Sequence, residues 1–492
     1  MTESSAPAHH FDLVVIGAGG AGSTAAGEAI ARGAKVALVE RWKVGGTCLN
    51  VGCDPTKTLV RSAEIRHLAR HAARFGIDVP EARTDWQAVI ERVERVVDTI
   101  RGGDGDRNIR ESGVALYKGH ARFRSPHEIE VAGAETTVLR ADKVIVATGA
   151  AQIPPPIIGL REAGFITNVE AVALPVLPRS LAIVGAGPVG VEFAQVFARL
   201  GVEVTLFAPR ERILPGEDDA LTPVLQAVLE REGIRVETRA RVRRVEADDG
   251  SRGRSKRVTA ERDGGPVTAR VEEVLLATGR APVVEGLELE VAGVAHGPDG
   301  IVVDDTLQTT APHVWAAGDV TGVAPFTHVA DYQARIAEFN AMSGRPPRRA
   351  DYRVVPWVTF TDPELGRVGL TERDARAAGH DVRCATVRVK DLARAITAGE
   401  TDGLVKLVSD RATGQLLGGH VLAARGGELL GEIALAIRLG LPVAVLCDTI
   451  HAYPTFSDGV FWAAYELAKP DDPALDAVRG VSAPAGEVPA EV

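Results

Sequence analysis

A glycine-rich turn occurs twice in this chain, and that repeat constrains the fold more than any other feature. Residues 11–16 form a short apolar run that ends in Gly17-Ala-Gly19-Gly-Ala-Gly22. An alanine-rich helical stretch follows to about Arg32, Gly33 stops it, and residues 35–40 read as a second strand closed by Glu40. Strand, glycine turn, helix, strand and acid together specify a dinucleotide-binding unit, whereas the glycines alone would not. Gly17 permits the tight turn, Gly19 lets the backbone approach a pyrophosphate, and Gly22 lets helix and strand pack closely. The helix N-terminus then faces the anion, and Glu40 accepts from a ribose hydroxyl. The pattern returns at residues 181–190, which read Leu-Ala-Ile-Val-Gly185-Ala-Gly187-Pro-Val-Gly190. Two apolar strands ending in Ala-Thr-Gly accompany the two turns, at Thr148-Gly149 and Thr278-Gly279. Two such units imply two bound dinucleotides.

The second unit lacks the ribose acid. Its second strand, residues 202–207, runs into Ala208-Pro209-Arg210-Glu211-Arg212. With no carboxylate at that point, Arg210 and Arg212 can pair a 2′-phosphate, which favours NADPH over NADH. The plainer alternative is that both arginines face solvent.

Between the units lies Gly45-Gly46-Thr47-Cys48-Leu49-Asn50-Val51-Gly52-Cys53-Asp54-Pro55-Thr56-Lys57. Four residues separate the two cysteines, which is close enough for a disulfide if a helix begins near Cys53. A thiol at a helix N-terminus has a lowered pKa and reacts at neutral pH. A zinc half-site is the competing reading, but it requires further ligands at metal-like spacing, and neither a CxxC nor an HxxxH reads as a partner to the pair. A disulfide beside two nucleotide sites offers a route for electrons from nicotinamide through flavin to sulfur. Cys384 and Cys447 stand alone and read as packing residues.

The balance of 56 basic against 66 acidic residues gives a net charge of −10. That argues against nucleic acid or an anionic membrane as the main partner. The polar start and the charged interruptions of every apolar run give no signal peptide and no membrane span, so a cytoplasmic location is the expectation. Residues 56–71 and 86–111 read as amphipathic helix, broken at residues 101–106. Short strands follow at 114–117, 121–123 and 128–131. Residues 310–319 form another buried strand ending at Gly318-Asp319, where the acid can meet cofactor hydroxyls. The Gly344-Arg-Pro-Pro-Arg-Arg349 linker marks a boundary. Strand-like runs at 354–360, 382–389, 403–408 and 415–421 come after it, then helical runs at 428–439 and 461–468. The Ala/Pro/Glu-rich end, residues 470–492, is expected to be disordered.

These residues resemble the class I pyridine-nucleotide disulfide oxidoreductases, on the lipoamide dehydrogenase and mercuric reductase branch. The GGTCxNxGCxPxK stretch, both glycine turns, both Ala-Thr-Gly strands and Ala-Gly-Asp319 stand in the family's order, over about residues 11–469. The resemblance implies an α/β fold with two Rossmann-like dinucleotide-binding domains and a C-terminal α+β dimerisation domain. It places an FAD domain at 1–152 and 280–350, an NAD(P)H domain at 153–279 and a dimerisation domain at 351–469. It assigns Glu40 to the adenosine ribose and Asp319 to the ribityl chain, with Gly46, Thr47, Thr148 and Gly149 also lining the FAD site and Gly279 the nicotinamide nucleotide. Cys53 becomes the thiol beside the flavin and Cys48 the interchange thiol facing substrate. Lys57 lies near flavin N5, paired with Glu192 on the second glycine-turn helix. The protein would be a homodimer, each subunit's last motif completing the other's active site.

That last motif departs from the disulfide-reducing members. His451-Ala-Tyr453-Pro-Thr-Phe-Ser-Asp458 puts tyrosine where they carry the catalytic histidine, and aspartate where they carry its supporting glutamate. A phenol with a pKa of about 10 is a poor acid–base group at neutral pH. Mercuric reductase also has tyrosine there, but its vicinal C-terminal cysteines are missing from this sequence. The expected acceptor is therefore a small-molecule disulfide or a thiol-bound metal ion. His451 is a candidate displaced base. The alternative is a diaphorase or quinone reductase that uses only the flavin.

Overall fold

A computed structural model describes residues 9–248 and 255–468. The end expected to be disordered lies outside the described residues. Two parallel sheets with the same strand order dominate the α/β architecture. In the first, Ala115–Lys118, Val36–Glu40, His9–Ile16, Thr136–Val146 and Val314–Ala316 lie side by side. In the second, Arg235–Glu237, Glu203–Phe207, Ser180–Val184 and Glu273–Leu276 repeat the order of the first four. The order reverses beside the first strand of each unit, and in open parallel sheets that switch point is where ligands sit.

The long strand Thr136–Val146 joins parallel and antiparallel parts of one seven-stranded sheet. Its first half carries an antiparallel hairpin, Glu128 facing Arg140, while its second half pairs in parallel with His9–Ile16 and Val314–Ala316. Val314–Ala316 and the Thr327–Met342 helix thus return to the first unit although the whole second unit precedes them in sequence.

The glycine turns are sterically enforced. Gly17 sits at φ +102°, and a Cβ on Gly22 would lie 1.7 Å from the Gly17 carbonyl oxygen. Gly185 and Gly190 reproduce this, with φ +109° and a 1.9 Å clash. Only glycine lets each helix press onto its own strand.

The C-terminal part is a five-stranded antiparallel sheet, ordered Trp357–Thr359, Glu364–Gly369, Leu416–Ala423, Leu404–Asp410 and Val382–Arg388. Helices Leu430–Leu439, Ala444–Asp448 and Asp458–Leu467 pack on it around Ile433, Val460 and Ala463. Sequence pattern does not reveal Glu364–Gly369, where glycines interrupt the alternation, nor the three-stranded antiparallel insert made by Arg241–Asp248, Ser255–Glu261 and Val267–Val271. No described helix is long and apolar enough to cross a membrane.

Candidate active site

The cysteine stretch is folded against the first glycine turn. Gly45 N–H donates to the Ala18 carbonyl at 2.8 Å, and Gly46, at φ +59°, would place a Cβ 2.7 Å from Gly19 Cα. Cys48 lies in a short helix, Gly46–Val51, and Cys53 begins the helix Cys53–Arg70. Gly52 joins the two helices, and a Cβ there would meet Cys48 Cα at 3.1 Å. The turn thus brings the two sulfurs together. Both are free thiols in this structure, hydrogen-bonded to each other. The sequence reading anticipates their disulfide, and the structure holds the reduced pair.

The two thiols are electrostatically unequal. The hydrogen bond from Cys48 lowers the Cys53 pKa to about 6, burial opposes it, and Thr327 and the Lys57 charge add to the lowering. Cys48 is pushed far upward, chiefly as the donor of that hydrogen bond and then by burial. The pair therefore holds its last proton more readily on Cys48 and favours the thiolate at Cys53. Thr327 Oγ1 lies 3.5 Å from Cys53 Sγ, at the first residue of the Thr327–Met342 helix.

Helix packing builds the opposite wall. Leu59 and Ala63 of Cys53–Arg70 share one core with Phe193 and Phe197 of the helix Pro188–Arg199. That docking aligns Lys57 with Glu192, 2.8 Å from Nζ to Oε2. The other carboxylate oxygen accepts from Phe360 N–H at 2.8 Å, and the Phe360 ring lies 4.6 Å from Nζ. Glu192 is buried, whereas the Lys57 side chain is one-third exposed (33%). Glu192→Ala is expected to cost about 2–3 kcal/mol in thermal unfolding, below the full value for a buried pair because water screens Lys57.

The anticipated cofactor residues are spread along the two switch points. Gly19 and Gly187 are the N-caps of Gly20–Ala31 and Pro188–Arg199, and neither helix has a side-chain cap. A Cβ on Gly187 would meet nothing within 4 Å, and one on Gly19 only Gly46 Cα at 3.9 Å. Two uncapped helix N-termini with open space before them fit the phosphates of two dinucleotides. Glu40 is buried at the end of its strand and accepts from Ala18 N–H at 2.8 Å and Trp42 N–H at 2.6 Å. It borders a cleft shared with Gly17, Arg41, Gly119, Thr148 and Glu285. Thr148 donates to the Val283 carbonyl at 2.6 Å, while Gly149 and Gly279 turn the chain at φ +71° and +112°. Burial raises the pKa of Asp319, against which Arg280 acts from 3.1 Å.

Other anticipated residues sit differently from the expectation. Arg212 is engaged by Asp219 and by the Glu217 carbonyl at 3.5 Å, so its charge is already matched within its own loop. Arg210 is exposed and makes no side-chain pair with any described residue. His451 is locked: Nδ1 lies 2.9 Å from the Thr449 carbonyl and Nε2 2.9 Å from Glu432, in a side chain only 7% exposed. A histidine with both nitrogens occupied is poorly placed to serve as a displaced base. Tyr453 is 77% exposed. Asp458 is buried and accepts from Thr455 N–H at 3.4 Å; the structure shows no bond from it to Tyr453. Cys447 is buried as expected of a packing residue, whereas Cys384 is half-buried with its thiol pushed up to about 11 by burial and by Glu372. His67 and His71, an HxxxH pair at the end of the Cys53–Arg70 helix, lie 14 and 18 residues beyond Cys53, about 21 Å or more along its axis, too far to complete a metal site with the cysteines.

Three contributors escape a reading of sequence alone. Arg280 joins Asp319 to Thr47 Oγ1, the latter at 3.2 Å, although its only signal is that it follows Thr278-Gly279. Thr327 reaches Cys53 and Phe360 reaches the Lys57–Glu192 pair from segments remote in sequence.

Residues 11–334 match the pyridine nucleotide-disulphide oxidoreductase family, and residues 355–464 match that family's dimerisation domain. The mercuric reductase of Streptomyces lividans is 39% identical over 92% of this chain and 95% of its own length. That of Bacillus cereus is 37% identical over 94% of this chain and 72% of its own. The dihydrolipoyl dehydrogenase of Bacillus subtilis is 34% identical over 93% and 98% of the two chains. Among solved structures, the HOCl-induced flavoprotein disulfide reductase RclA from Escherichia coli superposes with a TM-score of 0.82 at 32% identity, covering 92% of this chain and 99% of that one. Its Cu(II) complex gives 0.84 at 31% identity, covering 94% and 100%. With two dinucleotide-binding units, a paired thiol at their junction and a dimerisation domain, the chain belongs to the FAD-dependent pyridine nucleotide-disulphide oxidoreductases.

Proposed function

We propose that this enzyme draws electrons from NADPH and delivers them, through Cys53 and Cys48, to a soft metal ion ligated by thiols. The observation that carries this reading is the state of the C-terminal motif. Its histidine is buried and doubly bonded, and an exposed tyrosine stands at the acid–base position. Exchange with a disulfide needs a proton delivered to the leaving thiolate. A metal ion leaving thiolate ligands needs none, so tyrosine suffices as a weak oxygen donor. Among the relatives, one group is named for mercury(II) and one structure is a copper(II) complex, while others are named for dihydrolipoyl or disulfide substrates.

Bound FAD supplies two-electron acceptance from the nicotinamide and delivery to sulfur. Gly17, Gly19, Gly22, Glu40, Gly46, Thr47, Thr148, Gly149 and Asp319 would hold it, and Gly185, Gly187, Gly190, Gly279 and Arg210 the NADPH. Lys57, neutralised by Glu192, keeps a positive charge against the Cys53 side of the site and favours its thiolate. Cys48 and Cys53 ligate the ion as thiolates. Two electrons from NADPH reduce one mercury(II) ion by two, or two copper(II) ions by one each, and one proton is released. A cysteine pair that must be reduced again at every turnover suits a reducing, cytoplasmic setting. Tyr453 projects from the dimerisation domain and would complete the site of a second subunit.

The test is steady-state turnover with NADPH against Hg(II) and Cu(II) in excess thiol, lipoamide, glutathione disulfide and a quinone. The metal ions are expected to turn over at least about 100-fold faster than either disulfide, the scale of a missing acid–base group. A faster disulfide would overturn the assignment. Quinone turnover that survives Cys48→Ser while metal turnover does not separates a flavin-only side activity from the proposed one.

Arg210 is the available partner for a 2′-phosphate. Arg210→Ala is expected to raise KM for NADPH about tenfold and leave KM for NADH unchanged, as loss of one charge-assisted hydrogen bond would. Equal effects on both nucleotides would rule out that contact.

A further inference from the structure

We propose that Trp357 is a positioning residue for the Cys53 sulfur, acting through Phe326 and Thr327; this rests on the dithiol reading above. Three parts of the chain meet on its indole. Trp357 opens the first strand of the antiparallel sheet, Trp357–Thr359. Its Nε1–H donates to Glu217 Oε1 at 2.7 Å, in the loop beyond Arg210 and Arg212. Its ring stacks on Phe326 with centroids 5.4 Å apart and planes 16° apart. The Arg367 guanidinium also sits against the indole, 4.5 Å from its centroid, and donates to the Gly216 carbonyl at 2.6 Å.

Phe326 is where this clamp bears on the chemistry. It is the N-cap of Thr327–Met342, and that helix start has no side-chain cap. A phenylalanine cannot accept from the free N–H groups, so its place is set by packing. The available packing is one aromatic row, His328 on Phe326 at 5.5 Å and Phe326 on Trp357. The next residue, Thr327, holds its hydroxyl 3.5 Å from Cys53 Sγ. Stacked aromatic pairs are directional and well suited to fixing such a register.

The anchor at the far end is built into the interior. Glu217 is 5% exposed, and its Oε2 is buried with no hydrogen-bond partner. Leaving one carboxylate oxygen unsatisfied is costly, and the one hydrogen bond shown for the Glu217 carboxylate comes from the indole. Burial also raises the pKa of this carboxyl, against that bond and the charge of Arg367. An apolar residue would fill the space at less cost if nothing but packing were required.

The experiment is a pH titration of the long-wavelength thiolate-to-flavin absorbance in the two-electron-reduced holoenzyme. It is paired with the pH profile of iodoacetamide alkylation at Cys53 in a Cys48→Ser background. Trp357→Ala is expected to raise both midpoints by about one pH unit, the order expected from weakening a hydrogen bond to a charged sulfur. Trp357→Phe, which keeps a flat ring against Phe326, should recover most of that shift. In a Thr327→Val background Trp357→Ala should add nothing, because its effect passes through that hydroxyl. If Trp357→Ala does not retain flavin, Glu217→Leu, which only frees the indole, carries the same test with the same sign. A flavin-loaded variant with an unmoved midpoint, or a shift that persists in full without the threonine hydroxyl, overturns the proposal and leaves the dithiol reading standing. Absence of the absorbance from the unmodified enzyme removes both.

Discussion

Replacing Cys53 with serine is expected to lower NADPH-dependent metal-ion turnover by at least about 10³-fold while the protein still folds as a flavin-binding dimer. The size of the effect follows from the inequality of the two thiols. Cys53 is the group held as thiolate near pH 6, by the Cys48 hydrogen bond first, with Thr327 and Lys57 assisting. Serine is a similar size and keeps the helix start, but its hydroxyl stays protonated throughout the physiological range. The same reasoning fixes the pH dependence. A thiol with a lowered pKa is charged above that value, so turnover of the unmodified enzyme should fall as pH drops through about 6 and level off above it. Cys48, held strongly protonated, should not titrate in that window until a metal ion binds. A serine variant that keeps most of its metal turnover would show that the flavin alone serves the acceptor.

Tyr453→His is expected to raise lipoamide or glutathione disulfide turnover by about 10²-fold and leave metal-ion turnover within a few-fold, the usual yield of a positioned acid–base group. Tyr453 is exposed on its own chain, so the change breaks no buried contact within the subunit. His451 already occupies the Thr449 carbonyl and Glu432 and gives little help to a leaving thiolate. A second substitution, Asp458→Glu, lengthens the carboxylate arm toward the new imidazole and should add to the gain. If neither variant gains disulfide activity, the shape of the pocket and not the missing base excludes dithiols.

The sequence carried the parts of the fold in which backbone geometry dictates residue type. Gly17 with Gly22, and Gly185 with Gly190, permit contacts that any Cβ would forbid, so the two dinucleotide units were readable without coordinates. The pairing of Lys57 with Glu192 followed from the family resemblance, and the packing of the two helices brings them together. Contacts between remote segments were not legible. Thr327, Arg280 and Phe360 reach the thiols, Thr47 and Glu192 only after the chain has crossed the second unit, and no local pattern marks them. Arg212 shows the converse. An arginine beside a missing acid looked like a phosphate ligand, yet Asp219, seven positions on, had already matched its charge. Glu364–Gly369 escaped notice because Gly366 packs closely against Gly426 and Leu430, and Gly369 against Leu417 and Ile437, which removes the alternation that marks a strand.

Differential alkylation of Cys48 and Cys53 tests most directly whether the pair receives electrons from the nucleotide. The air-oxidised enzyme is treated anaerobically with one equivalent of NADPH, quenched with iodoacetamide and mapped by mass spectrometry. Residues 48 and 53 should be unlabelled before reduction, as a disulfide, and both labelled after it, with Cys384 and Cys447 unchanged between the two samples. Identical labelling of Cys48 and Cys53 with and without NADPH would contradict a redox-active pair.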